Sequence, residues 1–204
     1  MSETGTIERL RAYRKTYIAM LVSSVLSLIA SLVLAIDAVK LAAEPAGKLS
    51  CDINSVLSCG TVAKAWQSQL LGFPNAFIGL MTEPVVITVA IAGLGLVTFP
   101  RWFMRVAHVV YGLGLVFALW LLSQSLFVIN SLCPWCLLVT GSTITVFSTI
   151  TRVVLLENIW NFVPERQEKI VTFLERGWGR VFYAGSYATI TIVIFIKYGY
   201  ELFN

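Results

Sequence analysis

Four cysteines, Cys51, Cys59, Cys133 and Cys136, fall in two close pairs, and they are the residues whose spacing first suggests chemistry. Cys133-Pro134-Trp135-Cys136 is a C-x-x-C dithiol. Two thiols so placed can close a small disulfide, and the thiolate is the species that attacks. The dithiol opens an apolar stretch, residues 137–156, whose only charge is Arg152. Pro134 suits the first position of a helix, where its missing N–H would have no partner. The thiols then sit at the positive end of a helix dipole, which favours the thiolate. Cys51 and Cys59 are separated by seven residues, a spacing that helical turns bridge only with some local irregularity. Three chemistries fit four such thiols: two inert structural disulfides, a zinc site, or a redox relay. Zinc is the weakest reading, because no histidine joins the set. A thioredoxin fold is not the source of the C-x-x-C, since no βαβ pattern surrounds it. Spacing alone leaves the structural and redox readings both open.

The elements that must position these thiols are membrane helices. Of 204 residues, 57% are hydrophobic and 13% charged, against about 25% charged in a soluble domain. The fold class expected is all-α integral membrane: a four-helix transmembrane bundle, a fifth transmembrane helix, and an outer loop containing a short helix. A polar segment, 1–16, precedes a first apolar run at 17–36, long enough to span about 30 Å of hydrocarbon and longer than the roughly 7–15 residues of a signal peptide. An outer loop, 37–75, holds Cys51 and Cys59. Further spans are expected at 76–99, 106–128 and 134–156, so that 17–156 forms one four-helix catalytic domain. A connecting loop, 157–180, contains a short surface helix at 164–176 suited to membrane lipids. The fifth span, 181–196, lies in a last segment, 181–204. Eleven Lys and Arg fall on one side of this arrangement (Arg9, Arg11, Arg14, Lys15, Arg101, Arg105, Arg152, Arg166, Lys169, Arg176, Arg180) and four on the other (Lys40, Lys48, Lys64, Lys197). The excess of basic residues marks the cytoplasmic side, so the N-terminus is expected inside and all four cysteines outside, where disulfides persist. No nucleotide-binding glycine motif is present, and nothing points to nucleic acid.

The order of motifs carries a resemblance. A cysteine pair with Asp52 follows the first span, Phe73-Pro74-Asn75-x-x-x-Gly79 opens the second, and the C-x-x-C opens the fourth. Over residues 17–156 this resembles the vitamin K epoxide reductase family, in particular its bacterial homologues. The resemblance implies a four-helix bundle around a membrane quinone, ubiquinone or menaquinone, and a separate thioredoxin-like extracytoplasmic protein as the electron donor. It makes Cys133 and Cys136 the active-site dithiol, with Cys136 facing the quinone. It makes Cys51 and Cys59 a shuttle pair: Cys51 exchanges with the partner and Cys59 passes electrons to Cys133. It assigns Asn75 to a quinone carbonyl, with Phe77 and Ile78 near the ring. Two positions depart from the family pattern: Thr140 stands where animal members have tyrosine, and Ala65 where many members have serine or threonine. Another quinone-dependent oxidase family also uses two cysteine pairs on four helices, but in the reverse order.

Some residues invite a role that a plainer explanation also covers. Glu83 lies inside the second span, either as a proton source for quinone reduction or as a solvated or paired carboxylate. His108, near the inner end of the third span, reads as interfacial or hydrogen-bonded. Thr140, Ser142, Thr143 and Thr145 read as helix-packing residues. From a different functional class, a non-catalytic membrane protein with two structural disulfides stands as the alternative.

Overall fold

A computed structural model describes the backbone of residues 3–54 and 56–203 and the side chains of 13–54, 56–179, 181 and 183–199. The Arg9, Arg11 and Arg180 side chains counted above lie outside the described residues. Among the described residues seven α-helices follow in order: α1 (Glu3–Ala43), α2 (Cys59–Lys64), α3 (Ala76–Leu94), α4 (Arg101–Gln124), α5 (Pro134–Leu156), α6 (Pro164–Glu175) and α7 (Trp178–Phe203). A 3₁₀ turn, Trp66–Gln69, follows α2, and a π-helical turn, Ser125–Ile129, extends α4. The protein is an all-α membrane protein. Among the described residues four stretches have the length and hydropathy to cross a bilayer: Tyr13–Ala43, Ala76–Leu94, Arg101–Ile129 and Pro134–Leu156. The helix expected at 181–196 is present within α7.

The bundle is apolar on the outside. On α1, Ile18, Val22, Val25, Leu26, Ile29, Leu32 and Ile36 are exposed, whereas Ser24, Ser27, Ala30 and Ser31 are buried. In water that arrangement would be inverted; in lipid the apolar face meets acyl chains and small residues let helices approach closely. α1 packs on α3 and α5, and α4 on α5. More of α5 is buried than of any other span, 56% against 33% or less, so α5 is the central helix. Its threonines return their hydroxyls to their own helix, as with Thr143 to the Val139 carbonyl, which satisfies them without water.

Helix ends differ from the sequence expectation where caps override hydropathy. α1 runs on to Ala43, so Asp37 and Lys40 are helical and the outer loop begins later than residue 37. α3 stops at Leu94, because Gly95 follows and Leu96 adopts φ 62°. α4 begins at Arg101, straight after Pro100, with its basic first turn outside the apolar run. α5 begins at Pro134, α6 at Pro164, each proline at the first helical position.

Two glycines set the α1–α3 spacing. A Cβ on Gly79 would run into the Ser31 side chain, and one on Gly93 into the Tyr17 ring. Gly93→Ala is therefore expected to cost about 1–3 kcal/mol through overpacking. Gly185→Ala on α7, where a Cβ meets nothing within 4 Å, should leave stability unchanged or slightly raised. Thermal unfolding in detergent, followed by tryptophan fluorescence, checks the pair. Equal midpoints for both variants would contradict the close contact.

Candidate active site

The loop that carries Cys51 and Cys59 is tied to the entry of α5 by backbone. Leu132 N–H donates to the Val56 carbonyl (2.7 Å) and Ser58 N–H to the Leu132 carbonyl (3.0 Å), forming an isolated parallel bridge between Leu57 and Leu132. The buried Ser131 hydroxyl adds bonds to the Val56 and Ser58 carbonyls. Cys59 and Cys133 are the next residues on each strand of this bridge, and it delivers them to each other.

All four cysteines meet there. Cys51 and Cys59 form a disulfide, while Cys133 and Cys136 are free thiols. The Cys133 Sγ lies 3.4 Å from the Cys59 Sγ, in contact with a disulfide sulfur. Cys51, Cys59 and Cys133 are buried among Leu41, Leu49 and Val62, with Trp135 packed alongside. Cys133 is the N-cap of α5, its sulfur accepting the Cys136 N–H at 3.3 Å. A hydrogen bond from the Cys136 thiol holds Cys133 below the ordinary thiol value; burial opposes this, and the Cys136 and Trp135 N–H groups reinforce it.

Asp52 is the knot of the loop. Its carboxylate accepts from Leu49 N–H, Ser58 Oγ and Gly60 N–H at 2.8–2.9 Å. Burial alone would raise its pKa, but the bonds from Gly60, Leu49 and Ser58 outweigh that and hold it below the usual carboxylate range. A side chain on Gly60 would collide with this carboxylate. The Ser58 hydroxyl caps α2 by accepting from Thr61 N–H. Asp52 and Ser58 together therefore hold Cys59 at the start of a short helix.

A cavity of about 260 Å³ opens below the thiols. Cys59, Cys133 and Cys136 border it, and its walls include Leu34, Ile78, Phe117 and Leu121. Its volume is near the lower end for small-molecule sites. Asn75 borders it too: Asn75 Nδ2 donates to the Gln67 carbonyl at 2.7 Å, and its buried Oδ1 has no hydrogen-bond partner. Ile78 is in the wall. Phe77 is not among the lining residues and stacks on Phe73 instead. The reason is helical phase: positions 75, 78, 79, 82 and 83 share the inward stripe of α3, and 77 falls off it.

A scan of family models matches residues 18–151, about two thirds of the 204-residue chain, to the vitamin K epoxide reductase family. The chain belongs to the vitamin K epoxide reductase family. No curated protein matches it significantly. Family membership makes the chain a membrane oxidoreductase of the thiol–disulfide type, and the matched region holds all four cysteines and every residue named on the cavity wall.

Several site residues escaped the sequence reading. Tyr111 and Phe117 lie on the inward face of α4, which carries no motif, and Ser31 and Leu34 on that of α1. Thr140 lines the cavity, although its hydroxyl donates to the Cys136 carbonyl. Glu83 is fully buried, borders the cavity and accepts from Ser27 and Tyr111. His108 is hydrogen-bonded far from the thiols, to Thr151 and Trp160.

The sulfur contact carries a direct test. In a Cys51→Ala, Cys136→Ala variant, the remaining Cys59 and Cys133 are expected to close a disulfide under mild oxidation, seen by peptide mass spectrometry. Adding Asp52→Ala should slow that closure several-fold, because the three bonds that fix the loop are gone. No Cys59–Cys133 link in the parent variant would contradict the geometry.

Proposed function

We propose that this chain oxidises a soluble thioredoxin-like protein at the outer membrane face and passes the electrons to a quinone dissolved in the bilayer. The observation that carries the reading is the 3.4 Å contact between Cys133 and the Cys51–Cys59 disulfide, directly above a cavity that Cys136 borders. The excess of Lys and Arg at the opposite end of the bundle supports an extracytoplasmic position for the thiols.

The relay balances as two successive exchanges. A partner thiolate attacks Cys51, and the second partner thiol displaces it, leaving the partner oxidised and Cys51 and Cys59 as thiols. The Cys59 thiolate then attacks Cys133 of a Cys133–Cys136 disulfide, releasing the Cys136 thiolate. Cys51 attacks Cys59, which re-forms the loop disulfide and releases Cys133. The observed state, with the loop pair bonded and Cys133 and Cys136 free, corresponds to the end of this internal exchange. Two electrons and two protons then remain to leave the dithiol. Residue 133 suits the exchange role because its sulfur is buried against Cys59, and residue 136 the oxidising end because it borders the cavity and does not touch the loop disulfide.

The residues present fit a quinone headgroup. The walls are apolar, and the unpartnered Asn75 Oδ1 can accept from a quinol hydroxyl while the free hydrogen on Nδ2 can donate to a quinone oxygen. A bound quinone supplies the two-electron oxidant, and for such couples each 30 mV of potential difference is about 1.4 kcal/mol of driving force. The alternative of two inert disulfides fits less well, because Cys133 and Cys136 are free and one of them touches the other pair.

With purified protein, a reduced thioredoxin-like partner and a short-chain quinone, quinone absorbance should fall with time, and Cys136→Ser should reduce the rate to background. Cys51→Ser should stop turnover with the protein partner but spare reduction driven by dithiothreitol. Full turnover in Cys136→Ser, or an inert wild type, would remove the oxidase reading. Equal loss with both donors in Cys51→Ser would overturn the assigned order.

A further inference from the structure

Below the thiols the cavity continues toward the middle of the bundle. On α3, Glu83 is eight residues beyond Asn75, about 12 Å deeper at 1.5 Å per residue. Tyr111 of α4 faces it, and both border the cavity. The Tyr111 hydroxyl donates to one Glu83 oxygen (3.1 Å) and the Ser27 hydroxyl to the other (2.8 Å). Glu83 is 4% exposed, and among the described residues no Lys or Arg is within salt-bridge distance of it. A full negative charge without a countercharge is expensive at membrane depth.

The threonine hydroxyls at this end are committed elsewhere. Thr82 donates to the Ile78 carbonyl, Thr140 to the Cys136 carbonyl and Thr143 to the Val139 carbonyl. These hydroxyls close onto their own helices. Glu83 and Tyr111 are bonded to each other and to Ser27, so theirs is the one wall group here with a carboxyl in it. The two oxygens of a para-quinone point in opposite directions from the ring. With one oxygen toward Cys136 and Asn75, the other points down toward Glu83 and Tyr111.

Resting on the oxidase reading above, we propose that Glu83, acting with Tyr111, is the proton donor for the quinone oxygen remote from the thiols. The balance is complete within one turnover. Cys133 and Cys136 lose two electrons and two protons as their disulfide closes; the electrons go to the ring. One thiol proton goes to the near oxygen. On reaction the Tyr111 hydroxyl turns from Glu83 to the far oxygen and gives up its proton there, its oxygen takes the Glu83 proton in exchange, and Glu83 is left as a carboxylate. The second thiol proton, released at the outer end, restores the balance when Glu83 is reprotonated. Ser27 is a positioning residue, holding the carboxyl toward Tyr111.

Glu83→Gln tests this, since it keeps the size and the hydrogen-bonding capacity and removes the transferable proton. In the reduced protein without quinone, infrared difference spectroscopy of wild type minus E83Q should show the C=O band of a protonated carboxylic acid, shifted in D₂O. In single turnovers of pre-reduced protein, E83Q should slow oxidation by quinone about a hundredfold or more. The same variant should be oxidised at the wild-type rate by a soluble aromatic disulfide, which a misfolded site would not allow. Tyr111→Phe should slow the quinone step alone as well. A missing carboxylic-acid band, a quinone step within twofold of wild type, or equal slowing with both oxidants would overturn the proposal. A wild type inert toward quinone yet reactive with the soluble disulfide would remove the oxidase reading together with it, so the two failures are told apart.

Discussion

The cysteine-bearing end of the molecule depends on two backbone hydrogen bonds. Residues 56–58 and 131–132 belong to no helix, and each would leave polar backbone unpaired in a partly buried place without the other. Pairing them satisfies both segments and fixes their register. Because Cys59 and Cys133 each follow the paired residues directly, the same register brings their sulfurs into contact. Thiol–disulfide exchange needs the attacking sulfur against the attacked one, and here the alignment is set by the main chain. The side chains can then change bonding partners while the frame stays in place.

That frame is also held from the far end of the chain. The π-helical turn at Ser125–Ile129 and the left-handed Asn130 interrupt the α4 ladder just before the bridge. Lys197 of α7 donates to the Leu126 carbonyl and to Asn130 Oδ1, and the Tyr198 hydroxyl donates to the same carbonyl. Lower down, the Tyr187 hydroxyl reaches the Gly141 carbonyl of α5, and Tyr183 and Tyr187 both meet Thr145. α7 lies beyond the region matched to the family, 18–151, yet it supplies the donors that a broken helix next to the active site requires. The last helix is part of the support for Cys133, and its Lys197 end lies level with the thiols.

What the sequence made legible was whatever is local. Pro134 and Pro164 mark helix starts because a ring without an N–H suits one helical position, and both starts fall where expected. Apolar runs gave the spans, while the ends shifted wherever a polar turn extended a helix, as from Ile36 to Ala43, or a glycine cut one short, as at Gly95. The cysteine pairs were legible as pairs, and the family resemblance implied exchange between Cys59 and Cys133, but the bridge that aligns them was not legible, since it joins residues 75 positions apart. Phe77 was assigned to the ring by motif, and the phase of α3 turns it toward Phe73. Ser27 and Tyr111 left no trace in the sequence, because a lone hydroxyl on an apolar helix looks the same whether it packs or holds a carboxyl.

The inside-out character of the bundle explains why so few side chains determine its chemistry. In lipid, a polar group with no partner is costly, and most interior hydroxyls here are returned to the carbonyl three or four residues back, as in Ser24, Thr82, Thr140 and Thr143. Such groups are satisfied within their own helix and have little left to offer a ligand. The polar atoms not absorbed in this way are consequently informative. Among those that border the cavity are the Asn75 carbonyl oxygen near the thiols and the Glu83 carboxyl with Tyr111 deeper in it. One lies at each end of a largely apolar space, which gives a flat two-ended molecule a defined direction.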